Sequence, residues 1–119
     1  MQVRLEMGSG YAVCRPVGAL DASSTVHLRE AMALMTSVPK LVIDLSEVRF
    51  VDSAALGALA GGIRRVREAG GEVAVCSSPP HLQGVLRTVG FDRVVPLVET
   101  LEEAHASLDR TSERFAGVA

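Results

Sequence analysis

Apolar and polar residues alternate at the start of the chain. From Gln2 to Met7 the apolar positions Val3, Leu5 and Met7 recur with a period of two, which predicts a half-buried strand. Gly8-Ser9-Gly10 is a turn signal, and Tyr11 to Val17 reads as a second strand, antiparallel to the first. Pro16 lacks a ladder donor, so a break, a bulge or an outward-facing edge is expected there. Gly18-Ala19-Leu20-Asp21 then leaves the sheet for a helix capped by Ser23 or Ser24, with Leu28, Ala31, Met32 and Met35 as its apolar stripe. Val38-Pro39 ends that helix.

Leu41-Val42-Ile43-Asp44-Leu45 is nearly all apolar, the pattern of a central parallel strand covered on both faces. Ser46 and Glu47 supply turn chemistry, and Val48, Phe50 and Val51 return the crossing to the core. Leu56, Leu59, Ala60, Ile63 and Val66 follow at helical spacing, behind an N-cap at Asp52 or Ser53. Gly57, Gly61 and Gly62 are unusual inside this helix. The Gly57–Gly61 spacing would let it approach the sheet or a partner closely, with close packing expected over a dimerisation motif, and Gly70-Gly71 closes it. Glu72 to Cys76 is a strand. Ser78-Pro79-Pro80 opens a helix with a buried face of Leu82, Val85, Leu86 and Val89, which Gly90 ends. Val94 to Val98, interrupted by Pro96, predicts an edge strand, and the capping box Thr100-Leu101-Glu102-Glu103 starts a last helix with the stripe Leu101, Ala104, Leu108. Beyond Asp109 a polar run is expected to fray. The pattern predicts one α/β domain over residues 1–110 with a tail at 111–119. Its sheet is mixed and mostly parallel, of four to five strands, with about four helices mainly on one side.

Composition narrows the chemistry. The 119 residues include no Trp, one Tyr and three Phe, so the core is aliphatic, and a net charge of −2 gives no electrostatic case for nucleic acid. Arg64, Arg65 and Arg67 read as the solvated side of a helix. No signal peptide or membrane span is visible, which leads to the expectation of a soluble, cytoplasmic chain. Cys14 and Cys76 lack a CxxC spacing and read as buried and reduced; His27, His81 and His105 fall on three separate helices, so no metal is assigned.

Ser53 is the residue of interest. It stands at a helix N-terminus beside Asp52, but its flanks, Val51 and Ala55, are not those of a G-x-S-x-G elbow. The only lysine is Lys40, and Asp21, Asp44 and Asp52 form no acid/base pair by spacing, so no catalytic constellation or cofactor is expected. A serine here can instead receive chemistry. A phosphate would add about −1.5 to −2 charges, favoured by the helix N-terminus yet repellent to a closely fitted partner. A plain Asp/Ser helix cap explains the same local sequence.

Taken together, Gly18-Ala19-Leu20-Asp21, Val42-Ile43-Asp44-Leu45, Phe50-Val51-Asp52-Ser53, Leu56-Gly57, Gly71-Glu72-Val73 and Leu86-Arg87-Thr88-Val89-Gly90-Phe91 resemble, in order and spacing, a STAS domain of the bacterial anti-sigma factor antagonists. The resemblance implies the STAS fold and regulation by partner switching. The unphosphorylated antagonist binds an anti-sigma factor that is also a serine kinase. The kinase, with its own ATP and Mg²⁺, phosphorylates the serine matched by Ser53, and a PP2C-type phosphatase reverses it. The matched partner-binding segment is Asp52, Ser53, Ala54, Ala55, Leu56 and Gly57, with Asp21 on the same rim; neither nucleic acid nor membrane insertion is implied. Where the family has D-S-[ST]-G-L, this chain has Asp52-Ser53-Ala54-Ala55-Leu56, which removes a second hydroxyl and adds a methyl in place of glycine. Two other readings stand beside it: a STAS subunit of a lipid-exporting ABC transporter without a phosphate cycle, and an esterase using Ser53.

Overall fold

The computed structural model describes residues 2–8, 10–76 and 78–116, with side chains described as far as Asp109. The chain runs β1 (Gln2–Met7), β2 (Ala12–Leu20), α1 (Thr25–Ala33), β3 (Lys40–Asp44), β4 (Val48–Val51), α2 (Ser53–Glu68), β5 (Glu72–Cys76), α3 (Pro80–Thr88), a 3₁₀ turn at Phe91–Arg93, β6 (Leu97–Val98) and α4 (Leu101–Ala116). The sheet is six-stranded in the order β1-β2-β3-β5-β6, with β4 joined to β2. β1 is antiparallel to β2, and every other pairing is parallel.

The extra strand is β4. The segment expected to be a crossing pairs instead with the end of β2, so Gly18–Leu20, expected to have left the sheet, remain in it. Pro16 sits beyond the Ala12–Cys14 stretch that pairs β3 and before the Gly18–Leu20 stretch that pairs β4, and the register shifts at Gly18/Ala19. The missing N–H therefore falls where β2 changes partners. Pro96 shortens the last strand to Leu97–Val98, which pairs only β5 and is an edge of the sheet.

Alternation along the strands divides the core. Ala12, Cys14, Leu41, Ile43, Val73 and Val75 face α1, α2 and α3 in the larger cluster. Val13, Val42, Ala74 and Cys76 face the other way, under Ala104 and Leu108 of α4. Three helices thus cover one side and one the other. Cys14 and Cys76 are both buried, on opposite faces of the sheet, and burial pushes the Cys14 thiol up to about 12.

Two helical faces differ from the periodicity. In α2 the buried residues are Ala55, Ala58, Leu59, Gly62, Ile63 and Val66, while Ala60 is exposed and Leu56 only partly covered. The close approach is made by Gly62 rather than Gly57 or Gly61: a Cβ on Gly62 would lie 2.6 Å from Met32 Cε of α1, whereas at Gly57 it would meet nothing within 4 Å. Helix–helix packing, not helix–sheet packing, selects that glycine. In α3, Leu82 and Leu86 are buried, but Val85, and Val89 just past the helix end, are 40% and 52% exposed. α4 keeps its helical backbone past Asp109 to Ala116.

Candidate functional site

The rim is assembled by the β2–β4 register. Leu20 pairs with Val51 across a parallel ladder, so the next residues, Asp21 and Asp52, emerge side by side. Asp52 N–H donates to the Leu20 carbonyl at 2.9 Å, which extends the ladder by one step. α2 begins immediately afterwards. Asp52 is its N-cap, with extended backbone (φ −99°, ψ 177°), and Oδ1 accepts the Ala55 N–H at 2.9 Å. Its other oxygen, Oδ2, accepts the Ala22 N–H at 3.0 Å, across to the β2–α1 turn.

Asp21 is turned back into its own loop. Its Oδ1 accepts from the Ser23 hydroxyl at 2.6 Å, from Ser23 N–H at 3.0 Å and from Ser24 N–H at 3.2 Å. The Ser23 hydroxyl above all, helped by these backbone donors, holds the Asp21 carboxyl below the usual carboxylate range. Ser24 is the N-cap of α1, but its hydroxyl accepts from Asp21 N–H at 2.9 Å instead of reaching forward. Two carboxylates therefore share the rim, and each accepts hydrogen bonds from backbone donors.

Ser53 occupies the first position of α2 and is exposed, as is Ala54. The first-turn N–H groups of a helix have no intrahelical acceptor, so the Ser53 side chain projects from a region of positive partial charge. Gly57, one turn on, is exposed with open space beside it. Ser53, Ala54 and Gly57 thus form a low strip of small residues, flanked by partly buried Leu56. Ala55 does not belong to it: it is 0% exposed and its methyl packs in the main core, because the third residue of the helix points at the sheet. The expected partner-facing role of Ala55 is corrected accordingly. Of the other expected residues, Asp21, Asp52, Ser53, Ala54, Leu56 and Gly57 are brought together at this rim.

The sequence reading missed three contributors. Ala22 offers only its N–H, which no residue pattern reveals. Phe50, read as a core residue, is 52% exposed on β4. His81, from α3, donates through Nε2 to the Arg49 carbonyl at 3.0 Å and so closes over β4. A shallow cleft of about 380 Å³ lies next to the rim, bordered by Gly18, Asp21, Ser24, His27 and Arg49. Among the described residues no group of three His, Cys, Asp or Glu side chains is placed to hold a metal ion, and no helix is long and apolar enough to cross a membrane.

With this geometry in view, the likeness to known proteins is specific. The STAS domain model matches residues 2–104. An anti-sigma F factor antagonist of Paenibacillus polymyxa is 27% identical over 115 residues, covering 94% of this chain and 98% of the relative. The crystal structure of an anti-sigma factor antagonist from Mycobacterium paratuberculosis matches with a TM-score of 0.82 at 28% identity, over 91% of this chain and 93% of that one. The Bacillus cell fate determinant SpoIIAA in its phosphorylated form shares the fold, with a TM-score of 0.70 at 23% identity over 92% of this chain and 99% of that one. The chain belongs to the STAS domain family.

Proposed function

We propose that this protein is an anti-sigma factor antagonist of the cytoplasm, a binding protein and not an enzyme, switched by phosphorylation at Ser53. The unmodified chain docks its Asp21–Ser53–Gly57 rim on an anti-sigma factor serine kinase and thereby frees a sigma factor. The kinase transfers phosphate from its own ATP and Mg²⁺. Ser53 Oγ bonds to the γ-phosphorus, the β–γ bridging P–O bond breaks, ADP leaves, and the hydroxyl proton passes to a base of the kinase. A PP2C-type phosphatase returns the hydroxyl.

The observation that carries this reading is an exposed serine at the first position of α2, beside a capping carboxylate whose two oxygens are already bonded to backbone N–H groups. A phosphate there adds about −1.5 to −2 charges at a helix N-terminus, where the domain tolerates them. It also builds bulk and charge on the low strip of Ser53, Ala54 and Gly57. The fold survives modification, and the complex does not.

Purified wild-type protein incubated with an anti-sigma factor serine kinase, ATP and Mg²⁺ is expected to gain one phosphate, and Ser53→Ala none. Ser53→Asp is expected to lose kinase binding while its urea midpoint stays within about 0.5 kcal/mol of wild type. Unmodified wild type, or tight kinase binding by Ser53→Asp, would overturn the switch. Equal capture of a transporter ATPase by wild type and Ser53→Asp would establish the transporter-subunit reading instead.

A further inference from the structure

From the paired bonds of its carboxylate we infer that Asp52 is a positioning residue, a bridge that fixes the β2–α1 turn against the first turn of α2, and that this bridge sets how well Ser53 is recognised. The bridge is a structural claim; its effect on recognition rests on the switch proposed above. Oδ1 holds the Ala55 N–H of its own helix at 2.9 Å, and Oδ2 holds the Ala22 N–H of the other segment at 3.0 Å. A carboxylate used this way is not offered outward as a contact. It makes two segments of the rim, one carrying Asp21 and the other Ser53, into a single surface.

The geometry supports this assignment from both ends. Asp52 N–H is anchored to the Leu20 carbonyl, so the side chain starts from a fixed backbone. Ala22 is likewise fixed, as the second residue of a turn closed by the Ser24 N–H to Asp21 carbonyl bond at 3.0 Å. The Asp21 side chain binds Ser23 and Ser24 within that turn, leaving Asp52 as the carboxylate that spans the two segments. A serine or threonine at position 52 would cap α2 equally well but has one oxygen, not two.

Two variants separate bridging from capping. Asp52→Asn keeps a good N-cap, but its amide has one acceptor oxygen and serves only one of the two N–H groups. Ala22→Pro deletes the donor at the turn position where proline is favoured and leaves Asp52 intact. By amide hydrogen exchange, Asp52→Asn is expected to speed exchange at Ala22 about tenfold while Ala55 stays protected. With a serine kinase that phosphorylates wild type, both variants are expected to raise KM for this protein about tenfold and to leave kcat within about twofold. A global loss of stability would change the melting temperature but not that split. Unchanged protection at Ala22 overturns the bridge, and unchanged KM in both variants overturns its role in recognition. A wild type that accepts no phosphate removes the switch itself, while the exchange measurement still decides the bridge.

Discussion

The two ends of β2 are built by the same rule and put to opposite uses. At one end the register Ala12–Leu41 sets Tyr11 beside Lys40; at the other, Leu20–Val51 sets Asp21 beside Asp52. The first pair attracts a third group. Asp109 of α4 accepts from the Tyr11 hydroxyl and from Lys40 Nζ at 3.0 Å, His105 stacks on Tyr11 with ring centroids 4.3 Å apart, and Lys40 Nζ lies 5.1 Å from the Tyr11 ring centre. Side chains there hold side chains, and the product is a clamp on a helix. The second pair is like-charged, and its partners are backbone N–H groups together with, at Asp21, the Ser23 hydroxyl of the same turn. Side chains there hold the main chain, and the product is a loop surface of fixed shape with a serine exposed upon it. A clamp suits a structural cover and a fixed rim suits recognition, which is why only one end is a candidate site.

The largest expected effect asks whether the clamp or the apolar contact beneath it keeps α4 in place. Leu108 is 1% exposed in the smaller core cluster, and Leu108→Ala is expected to cost about 2–5 kcal/mol by urea unfolding. A cost well under 1 kcal/mol would mean that the polar clamp carries the helix. At the rim, Asp52→Ala removes a cap and an inter-segment bond together and is expected to cost about 1–3 kcal/mol, more than Asp52→Asn. An Asp52→Asn variant as stable as wild type, with Asp52→Ala alone destabilised, would make the carboxylate no more than a helix cap.

Titration sharpens the contrast. Tyr11 is the only tyrosine, so ultraviolet absorbance reports its ionisation alone. The hydrogen bond to Asp109, and then burial, raise its pKa above 10.0; the midpoint is expected above that value in wild type and closer to it in Asp109→Asn. Linkage then differs between the ends. The Asp109 carboxyl is lowered by the Tyr11 hydroxyl first and Lys40 second, so its contribution is present above the unfolded carboxylate value of about 3.9 and is lost as pH falls through the lower folded value. Tyr11 and Lys40 are raised, the latter by Asp109, so theirs is present at neutral pH and lost as pH rises through their folded values. The clamp thus weakens at both extremes. Asp21, also lowered, loses its contribution only on the acid side. The smallest expected effect is on Lys40→Met, a slight drop in melting temperature at low salt that 1 M NaCl largely removes, because the Lys40–Asp109 ion pair is partly exposed. A drop that persists in salt would make the clamp more than electrostatic.

Local chemistry made much of this legible. The strands β1, β3 and β5, the glycine end of α2 and the box at Thr100 follow from residues within a turn or two of one another. Glu103 N–H donates to Thr100 Oγ1 at 3.0 Å, while Glu103 Oε2 accepts from Glu99 N–H at 3.1 Å, one residue earlier than the ordinary box. What stayed hidden depends on distant partners. Val48-Arg49-Phe50-Val51 has no clear period, and only its pairing with β2 makes it a strand. Periodicity finds Leu59, Ile63 and Val66 of the buried face of α2, but weighed by large side chains it does not see the small residues Ala55, Ala58 and Gly62 that complete that face, the last of them against Met32 of α1. At the site, Asp52-Ser53 and the helix start are written in the sequence, whereas the Ala22 contact is a main-chain atom thirty positions away. Asp44 is similar: burial pushes its carboxyl up, but Ser46 N–H and Arg15 outweigh that and leave it lowered, a balance no local pattern states.

The two bonds of the Asp52 carboxylate also differ in age. Its partner in α2 is three residues ahead and its partner in the β2–α1 turn is thirty behind. A helix cap can form with the first turn, on the sub-microsecond scale of helix growth, while the longer connection waits for β2 and β4 to pair. On these time scales the helix turn that carries Ser53 can be complete before the surface that presents it. Under the switch proposed above, a kinase that reads the joined rim would leave the unfinished chain alone, and a phosphate on Ser53 would be a record that the domain had already reached its native state.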